Sequence, residues 1–419
     1  MGLLLYNIFL LLYIAGARLA SLWNKKAAQW VKGRKGNLLP ASFGSGQDQT
    51  VWMHCASLGE FEQGRPLLEA IRSAYPSCKI ILTFFSPSGY EIRKNYTGAD
   101  KILYLPMDNP VQSKKFIDAI NPTLVLWVKY EYWYYYLQAL AKKNIPVLLV
   151  SGIFRESQPF FKWYGGFWKT ILGSFEHLFV QTASSKALLT SIKVHENITV
   201  TGDTRFDRVV AIAEQWESPG EMLQQFCKDH PVVVAGSTWE EDEEELIHYA
   251  KTYPHIRFIF APHEISRERI ADLQKEFPEG ILYSSLMNRQ SGTVINSNIL
   301  IIDNIGMLSR LYKCATIAYV GGGFNQSGIH NILEAAVYGK PVIFGPVYEK
   351  FAEARELVER QGAFSFTTAL ELEALLNKLL SNSILLKETG FIAKEYVYSN
   401  RGATNKIMDH IQRKRLLTN

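Results

Sequence analysis

Gly321-Gly-Gly-Phe-Asn-Gln-Ser-Gly-Ile-His-Asn-Ile-Leu-Glu334 joins a glycine-rich turn to a polar cluster, His330, Asn331 and Glu334, that opens an apolar helix. Ahead of it, Ala315-Thr-Ile-Ala-Tyr-Val320 is β-branched, aromatic and uncharged, the composition of a short buried strand. Behind it, Ile332 to Tyr338 predicts a helix, closed by Gly339-Lys340-Pro341 and followed by a strand, Val342-Ile-Phe344. Glycines between a strand and a helix, Gly328 among them, let a phosphate approach the backbone, and a helix N-terminus offers unpaired N–H groups. A glutamate one turn into that helix suits the hydroxyls of a ribose. The stretch therefore fits a nucleotide-linked donor, and a tight strand–helix turn of any parallel-sheet protein is the other reading.

Working outward, short apolar runs alternate with helical segments twice over. The first series holds Val51–Cys55, Ile80–Thr83, Ile102–Leu105, Leu124–Val128, Val147–Val150, Leu178–Val180 and Ile198–Val200, with helices expected at Gln63–Tyr75, Pro110–Ile120 and Tyr134–Lys143. The second holds Val232–Ala235, Ile256–Phe260, Ile299–Ile302, Thr316–Val320 and Val342–Phe344. Such alternation predicts an α/β protein with two parallel sheets joined by right-handed crossovers. Between the series lies a polar segment with Pro219-Gly220 as breaker. The expected organisation is an anchor and basic collar over 1–36, a first domain over 37–212, a linker over 213–230, a second domain over 231–395 and a returning C-terminal helix over 396–419. Ligands of parallel sheets bind at the carboxyl ends of strands, so two facing domains would form a cleft with donor and acceptor on opposite walls.

With 419 residues, 47% hydrophobic and 20% charged, the chain is long enough for two cores and has the balance of a globular protein. A net charge of +5 is too mild to point to nucleic acid. Its placement says more: no acidic residue precedes Asp48, whereas Arg18, Lys25, Lys26, Lys32, Arg34 and Lys35 do. The four cysteines are scattered, without ligand spacing, as reduced thiols of a cytoplasmic protein are. From Leu3 to Trp23 the chain is apolar and, as a helix, about 30 Å long. A secretory signal carries its cations before the apolar run; here they follow it, which argues for an N-terminal anchor with the body on the cytoplasmic side. Asn7 and Arg18 interrupt the run, so full spanning and half-immersion both stay open.

Several strand ends carry chemistry. In Ala56-Ser-Leu-Gly-Glu60, Glu60 is expected on a loop at a strand's carboxyl end, where it suits a general base for an acceptor hydroxyl; a first-turn glutamate favouring the helix dipole is the alternative. In Lys129-Tyr-Glu131-Tyr-Trp133, Glu131 suits either charge stabilisation or a structural pair with Lys129. Arg205, in Gly202-Asp-Thr-Arg205-Phe-Asp207, suits bidentate anion binding or an internal pair with Asp207. Gly236, Ser237 and Thr238 offer donors to phosphate oxygens, and the acidic run Glu240–Glu245 after them is expected to be a solvated helix start without metal-ligand spacing. Pro262-His263 and Gly306-Met307-Leu308 end or follow strands, where a base or ribose would lie. The run Phe160–Trp168, flanked by Arg155 and Lys169, mixes aromatics and cations as a bilayer interface does, and as helix packing does.

Together these segments resemble the 3-deoxy-D-manno-oct-2-ulosonic acid (Kdo) transferases of lipopolysaccharide assembly, over essentially the whole length. His54-Cys-Ala-Ser-Leu-Gly-Glu60 is similar to the family's strand-end motif, with Glu60 on its catalytic base. Glu131 falls on the family's acidic-tryptophan motif and Arg205 on a basic position thought to stabilise the transition state. Gly236, Ser237, Thr238, Pro262, His263, Gly306, Met307, Leu308, Gly328, His330, Asn331, Ile332, Leu333 and Glu334 fall on segments that hold the cytidine monophosphate (CMP) of the donor. Lys129 stands where many members carry an acidic residue, Arg205 where they carry lysine and His263 where they carry arginine, as in a divergent branch. The resemblance implies a GT-B architecture, two Rossmann-like domains facing a cleft behind an N-terminal membrane anchor. It implies inverting transfer of Kdo from CMP-Kdo to a lipid A precursor at the inner leaflet of the cell inner membrane, without metal or cofactor. A UDP-sugar-dependent GT-B transferase or epimerase, or a non-catalytic membrane-tethered nucleotide-binding scaffold, are the alternatives.

Overall fold

The computed structural model describes residues 2–35, 49–194, 196–288 and 295–418, so the expected boundary at 36/37 lies outside the described residues. Contacts divide the chain into two compact units, 1–208 with 401–419, and 209–400.

The first unit holds a seven-stranded, all-parallel sheet. Its strands are β1 (Thr50–Cys55), β2 (Lys79–Phe84), β3 (Lys101–Tyr104), β4 (Leu124–Val128), β5 (Val147–Gly152), β6 (His177–Val180) and β7 (Ile198–Val200), ordered β3-β2-β1-β4-β5-β6-β7. Every residue of β1, β4 and β5 is buried, because helices cover both sheet faces and leave no strand position for a solvated charge. Alternate residues supply the two layers. Trp52, Val125, Trp127 and Leu149 pack into one core cluster, and Val51, Met53, Leu126 and Val150 into the other. Local signals set helix ends: Asn109 caps Pro110–Ile120 by accepting from Val111 and Gln112 N–H, and Asn121 closes it in the left-handed region. Two further helices precede the sheet, α1 (Gly2–Ala20) and α2 (Lys25–Gly33), with Asn24 capping the second.

The second unit repeats the plan with β8 (Val232–Thr238), β9 (Arg257–Pro262), β10 (Ile281–Leu282), β11 (Ile299–Ile301), β12 (Ile317–Val320), β13 (Val342–Phe344) and β14 (Ala363–Ser365), ordered β10-β11-β9-β8-β12-β13-β14, all parallel. The outermost strands β10 and β14, two and three residues long, are too short to show periodicity and were not expected.

The stretch expected as a linker over 213–230 does more than connect. It contains the helix Glu221–Cys227, whose Met222, Leu223 and Phe226 are buried, and it belongs to the second unit. At the C-terminus, Ser383–Ser399 also belongs to the second unit, and only Ala403–Arg413 joins the first, burying Ile407 and Ile411 against its core. Asp207 fastens that return by accepting from Gly402 and Thr404 N–H. In each sheet the chain reverses direction of growth once, between β1 and β4 and between β8 and β12. The loops leaving these strand pairs meet at one point of each unit, where parallel sheets place their ligands.

Candidate functional site

In the first unit the switch point gathers the segments after β1 and β4. The helix α3 (Leu58–Ala74), capped by Ser57, begins five residues before the expected start at Gln63. Glu60 therefore stands in its first turn rather than on a loop, only 8% exposed. It accepts from the Ala56 and Ser57 N–H groups. Burial pushes its carboxyl up to about 7, helped by the nearby Glu131 charge and opposed by those N–H groups and by Lys129.

Glu131 lies between three ring donors. His54 Nε2 is 2.8 Å from its carboxylate, Trp133 Nε1–H donates to the same oxygen at 3.1 Å, and Trp127 Nε1–H donates to its backbone carbonyl. The fully buried His54 is held from behind by Thr83, whose hydroxyl lies 2.9 Å from Nδ1 and also accepts from Trp52 Nε1–H at 2.8 Å. A hydroxyl proton given to Nδ1 leaves the Nε2 proton for Glu131 and completes the chain of bonds. The relay was invisible in the sequence, where His54 reads as one more position in a buried strand. Lys129, at φ 60°, turns the chain out of β4 and sets its ammonium over the Tyr130 ring.

Arg205 joins this region through Asp203, not Asp207. Its backbone N–H and Nε–H both donate to the Asp203 carboxylate, at 2.9 and 2.8 Å. Asp207 is taken by the C-terminal return. The Thr204 hydroxyl donates to the carbonyl of Gln63, one turn beyond Glu60, and the Tyr130 hydroxyl feels the charges of Arg155, Glu60 and Asp203. The structure thus brings Glu60, Glu131 and the Asp203–Arg205 pair to one end of one sheet.

In the second unit the switch point gathers the ends of β8, β9 and β12. Ser237 adopts φ 53° and shifts the β8–β9 register. Behind it Trp239 stacks on His263 with centroids 4.7 Å apart, and His263 on His330 at 4.3 Å. Trp239 Nε1–H donates to His330 Nε2 at 3.1 Å, which leaves the His330 proton on Nδ1. Burial, with the His263 charge, lowers His330 to about 4. The acidic run is solvated at Glu240, Glu241 and Glu244 as expected of a helix start, but Asp242 and Glu243 are buried. Asp242 accepts from Trp239 N–H, Gly322 N–H and the Tyr319 hydroxyl at 2.8–2.9 Å, and Glu243 from the Thr238 hydroxyl and Arg269.

The glycine turn is also built differently from the expectation. Gly321 N–H is taken by Gly236, Gly322 N–H by Asp242 and Gly328 N–H by Asn325. A Cβ at Gly321 would strike the Ser237 carbonyl and one at Gly323 would strike Gly345, so these glycines serve backbone-on-backbone packing. The helix after them is short, Leu333–Ala336, which leaves little macrodipole. Ile332 and Leu333 are wholly buried and Pro262 is buried, so their side chains pack rather than line a surface. Glu334 accepts from the Asn331 amide at 3.2 Å, and its charge adds to the burial that raises the pKa of the neighbouring Tyr312. Leu308 and the Tyr312 hydroxyl press against Gly236, and the exposed Gly306, at φ 98°, and Met307 lead into that turn. Two groups result: the rings of Trp239, His263 and His330, and the cluster of Gly236, Leu308, Asn331 and Glu334 around Tyr312. Among the described residues no three His, Cys, Asp or Glu side chains converge as a metal site.

Two Rossmann-like units, each with a polar cluster at its switch point, follow the plan of the GT-B fold. The solved UDP-GlcNAc 2-epimerase of Neisseria meningitidis shares the fold at a TM-score of 0.58 and 16% identity, over 87% of this chain and 100% of that one. A family model described as 3-deoxy-D-manno-octulosonic-acid transferase (kdotransferase) matches residues 29–208. The 3-deoxy-D-manno-octulosonic acid transferase of Haemophilus influenzae is 28% identical over 376 residues, covering 86% of each chain. That of Aquifex aeolicus is 27% identical over 337 residues, covering 79% of this chain and 86% of its own. The chain is similar to these Kdo transferases over most of its length.

Proposed function

We propose that the protein moves Kdo from CMP-Kdo onto a glucosamine hydroxyl of a phosphorylated lipid A precursor, with inversion at the anomeric carbon, at the cytoplasmic face of the inner membrane. The observation that carries this reading is Glu60: a buried carboxylate held by two backbone N–H groups, with its pKa raised to about 7. A carboxylate tuned to the working pH accepts a proton from an attacking hydroxyl more readily than one near 4. Glu131, itself held by His54 and Trp133, keeps that pKa up and offers negative charge beside the attacked carbon. Arg205, oriented by Asp203, serves the acid group of Kdo or the departing phosphate. In the second unit, His330 Nδ1–H and the His263 ring face the donor's phosphate and sugar acid. Asn331 and Glu334 take the ribose, and Gly236–Thr238, Gly306–Leu308 and the turn at Gly328 frame the nucleotide.

Hydrogen-bond donors and cations then stabilise the departing CMP, and the proposed route uses no metal or cofactor. The likeness to Kdo transferases and the raised pKa of Glu60 support this reading.

The test supplies CMP-Kdo and a tetra-acylated lipid A precursor and weighs the lipid by mass spectrometry, with the released nucleotide identified. Added Kdo mass with release of CMP, undiminished by a chelator, is the expected result. Release of UDP from a UDP-sugar, or CMP-Kdo binding without transfer, would replace the proposal with one of the alternatives.

A further inference from the structure

The helix α1 passes every sequence test for a membrane span, being 19 residues long with mean hydropathy 1.8. Its packing is not that of a span. A stripe of Gly2, Tyr6, Leu10, Ile14 and Ala17, spaced three and four apart, lies against the first unit along the helix. Tyr6 and Leu10 are buried, and a Cβ at Gly2 would strike the Phe167 side chain.

Polar bonds fasten the same stripe. The Tyr6 hydroxyl donates at 2.6 Å to Asp108, only 2% exposed, and Asp108 also accepts from the N–H groups of Tyr135 and Tyr136. The Tyr135 hydroxyl donates to Asn7 Oδ1 at 2.8 Å. Pulling α1 away to cross a bilayer would strip a donor from a buried carboxyl and take Tyr6 and Asn7 into hydrocarbon without their partners.

The opposite face is apolar and open. Leu4, Leu5, Ile8, Phe9, Leu11 and Leu12 are 44–69% exposed, with no charge before Arg18. Beside it Trp163, 96% exposed, and Tyr164 line with Leu5 and Phe9 one groove of about 720 Å³. At the other end Leu22 and Trp23 are exposed, next to the exposed Lys25 and Lys26. An apolar face edged by tryptophans and then by cations complements one leaflet with anionic headgroups.

We propose that α1 lies in the plane of the membrane, immersed in one leaflet with the Trp163–Tyr164 segment, so that the N-terminus stays on the same side as the body of the protein. The proposal rests on the membrane setting of the function above and needs no turnover.

The test places a protease-cleavable epitope ahead of Met1 of the full chain and uses inner-membrane vesicles with their cytoplasmic face outward. An in-plane helix exposes the tag, which is cleaved equally in intact and in detergent-opened vesicles. A tag protected until detergent is added means a spanning helix and overturns the proposal, as does protein left in the supernatant.

Leu4→Glu with Leu11→Glu should lower partition onto phosphatidylethanolamine–phosphatidylglycerol vesicles about tenfold or more, whereas Phe391→Glu, at an exposed apolar site of the second unit, should not. Equal losses in both would overturn the docking face. Kdo transfer to detergent-dispersed acceptor is read on the same preparations. Failed transfer with an accessible tag removes the function and keeps the topology, and the reverse result does the opposite.

Discussion

Glu60 and Asp242 occupy the same place in the two units. Each is the third residue of the helix that follows the first strand of its sheet, after the N-caps Ser57 and Trp239. Each is buried, and burial raises the pKa of both. They differ in what reaches them from elsewhere. Asp242 is tied to the neighbouring strand by Gly322 N–H and the Tyr319 hydroxyl, in addition to its own helix start, so both its oxygens are committed. Among the described residues Glu60 receives the N–H groups of Ala56 and Ser57, and its strongest charged neighbour is a second carboxylate. One position in a repeated fold therefore holds a fully bonded acid when the partners are donors, and the acid we propose as the base when the partner is another acid.

The largest expected effect breaks the comparison on the catalytic side. Glu60→Gln keeps an amide oxygen for Ala56 N–H and should fold normally, yet lose about two decades or more in turnover. Asp242→Asn should lose less than about tenfold at a temperature where it is folded. Near-normal turnover of Glu60→Gln, in a steady-state transfer assay, would remove Glu60 as base.

Stability should run the other way. The Glu60 carboxyl holds its proton to about pH 7 in the folded chain but only to the usual 4.5 when unfolded. The folded state thus binds more protons between those values, and stability falls as pH rises through that window. Glu60→Gln should therefore be more stable than the parent above pH 7, by up to about 3 kcal/mol, and equal to it below pH 4. Asp242→Asn sets an amide donor among three donors and should cost about 2 kcal/mol. Urea unfolding at pH 4 and pH 8 measures both, and a less stable Glu60→Gln at pH 8 would contradict the burial argument.

The smallest effect sharpens the account of the shift itself. With Glu60 as base, kcat/KM should rise through about pH 7. Removing the neighbouring charge with Glu131→Gln should move that limb to lower pH by less than about one unit, because burial remains the larger cause. An unmoved limb would mean that the Glu131 charge does not reach Glu60.

Much of this was legible in the residues. Leu124–Val128 and Val342–Phe344 appear where expected because a strand covered on both faces is apolar throughout, and Asn109-Pro110 marks its helix start because the cap and the missing N–H are local chemistry. Glu60, Glu131 and Arg205 were identifiable as polar groups at strand ends. What escaped depended on partners distant in sequence. The capture of Asp207 by Gly402 and Thr404, which leaves Arg205 to Asp203, the His54–Thr83 relay behind Glu131 and the burial of Asp242 and Glu243 each depend on which segment the fold delivers. The spacing Trp239-Glu-Glu-Asp242 did hold a local hint, since a carboxylate three residues after an N-cap reaches back to it.

The order of residues alone determined two alternating α/β series, an apolar N-terminus and a family likeness, since periodicity, caps and strand-end motifs are read within a few neighbouring residues. Folding in three dimensions decided that Asp242 is bonded on both oxygens while Glu60 stands beside a second carboxylate, that the glycines pack backbone on backbone, and that α1 is fastened by Tyr6 to Asp108. Those outcomes depend on burial and on hydrogen bonds between groups brought together by the crossovers, and no local stretch of chain contains them.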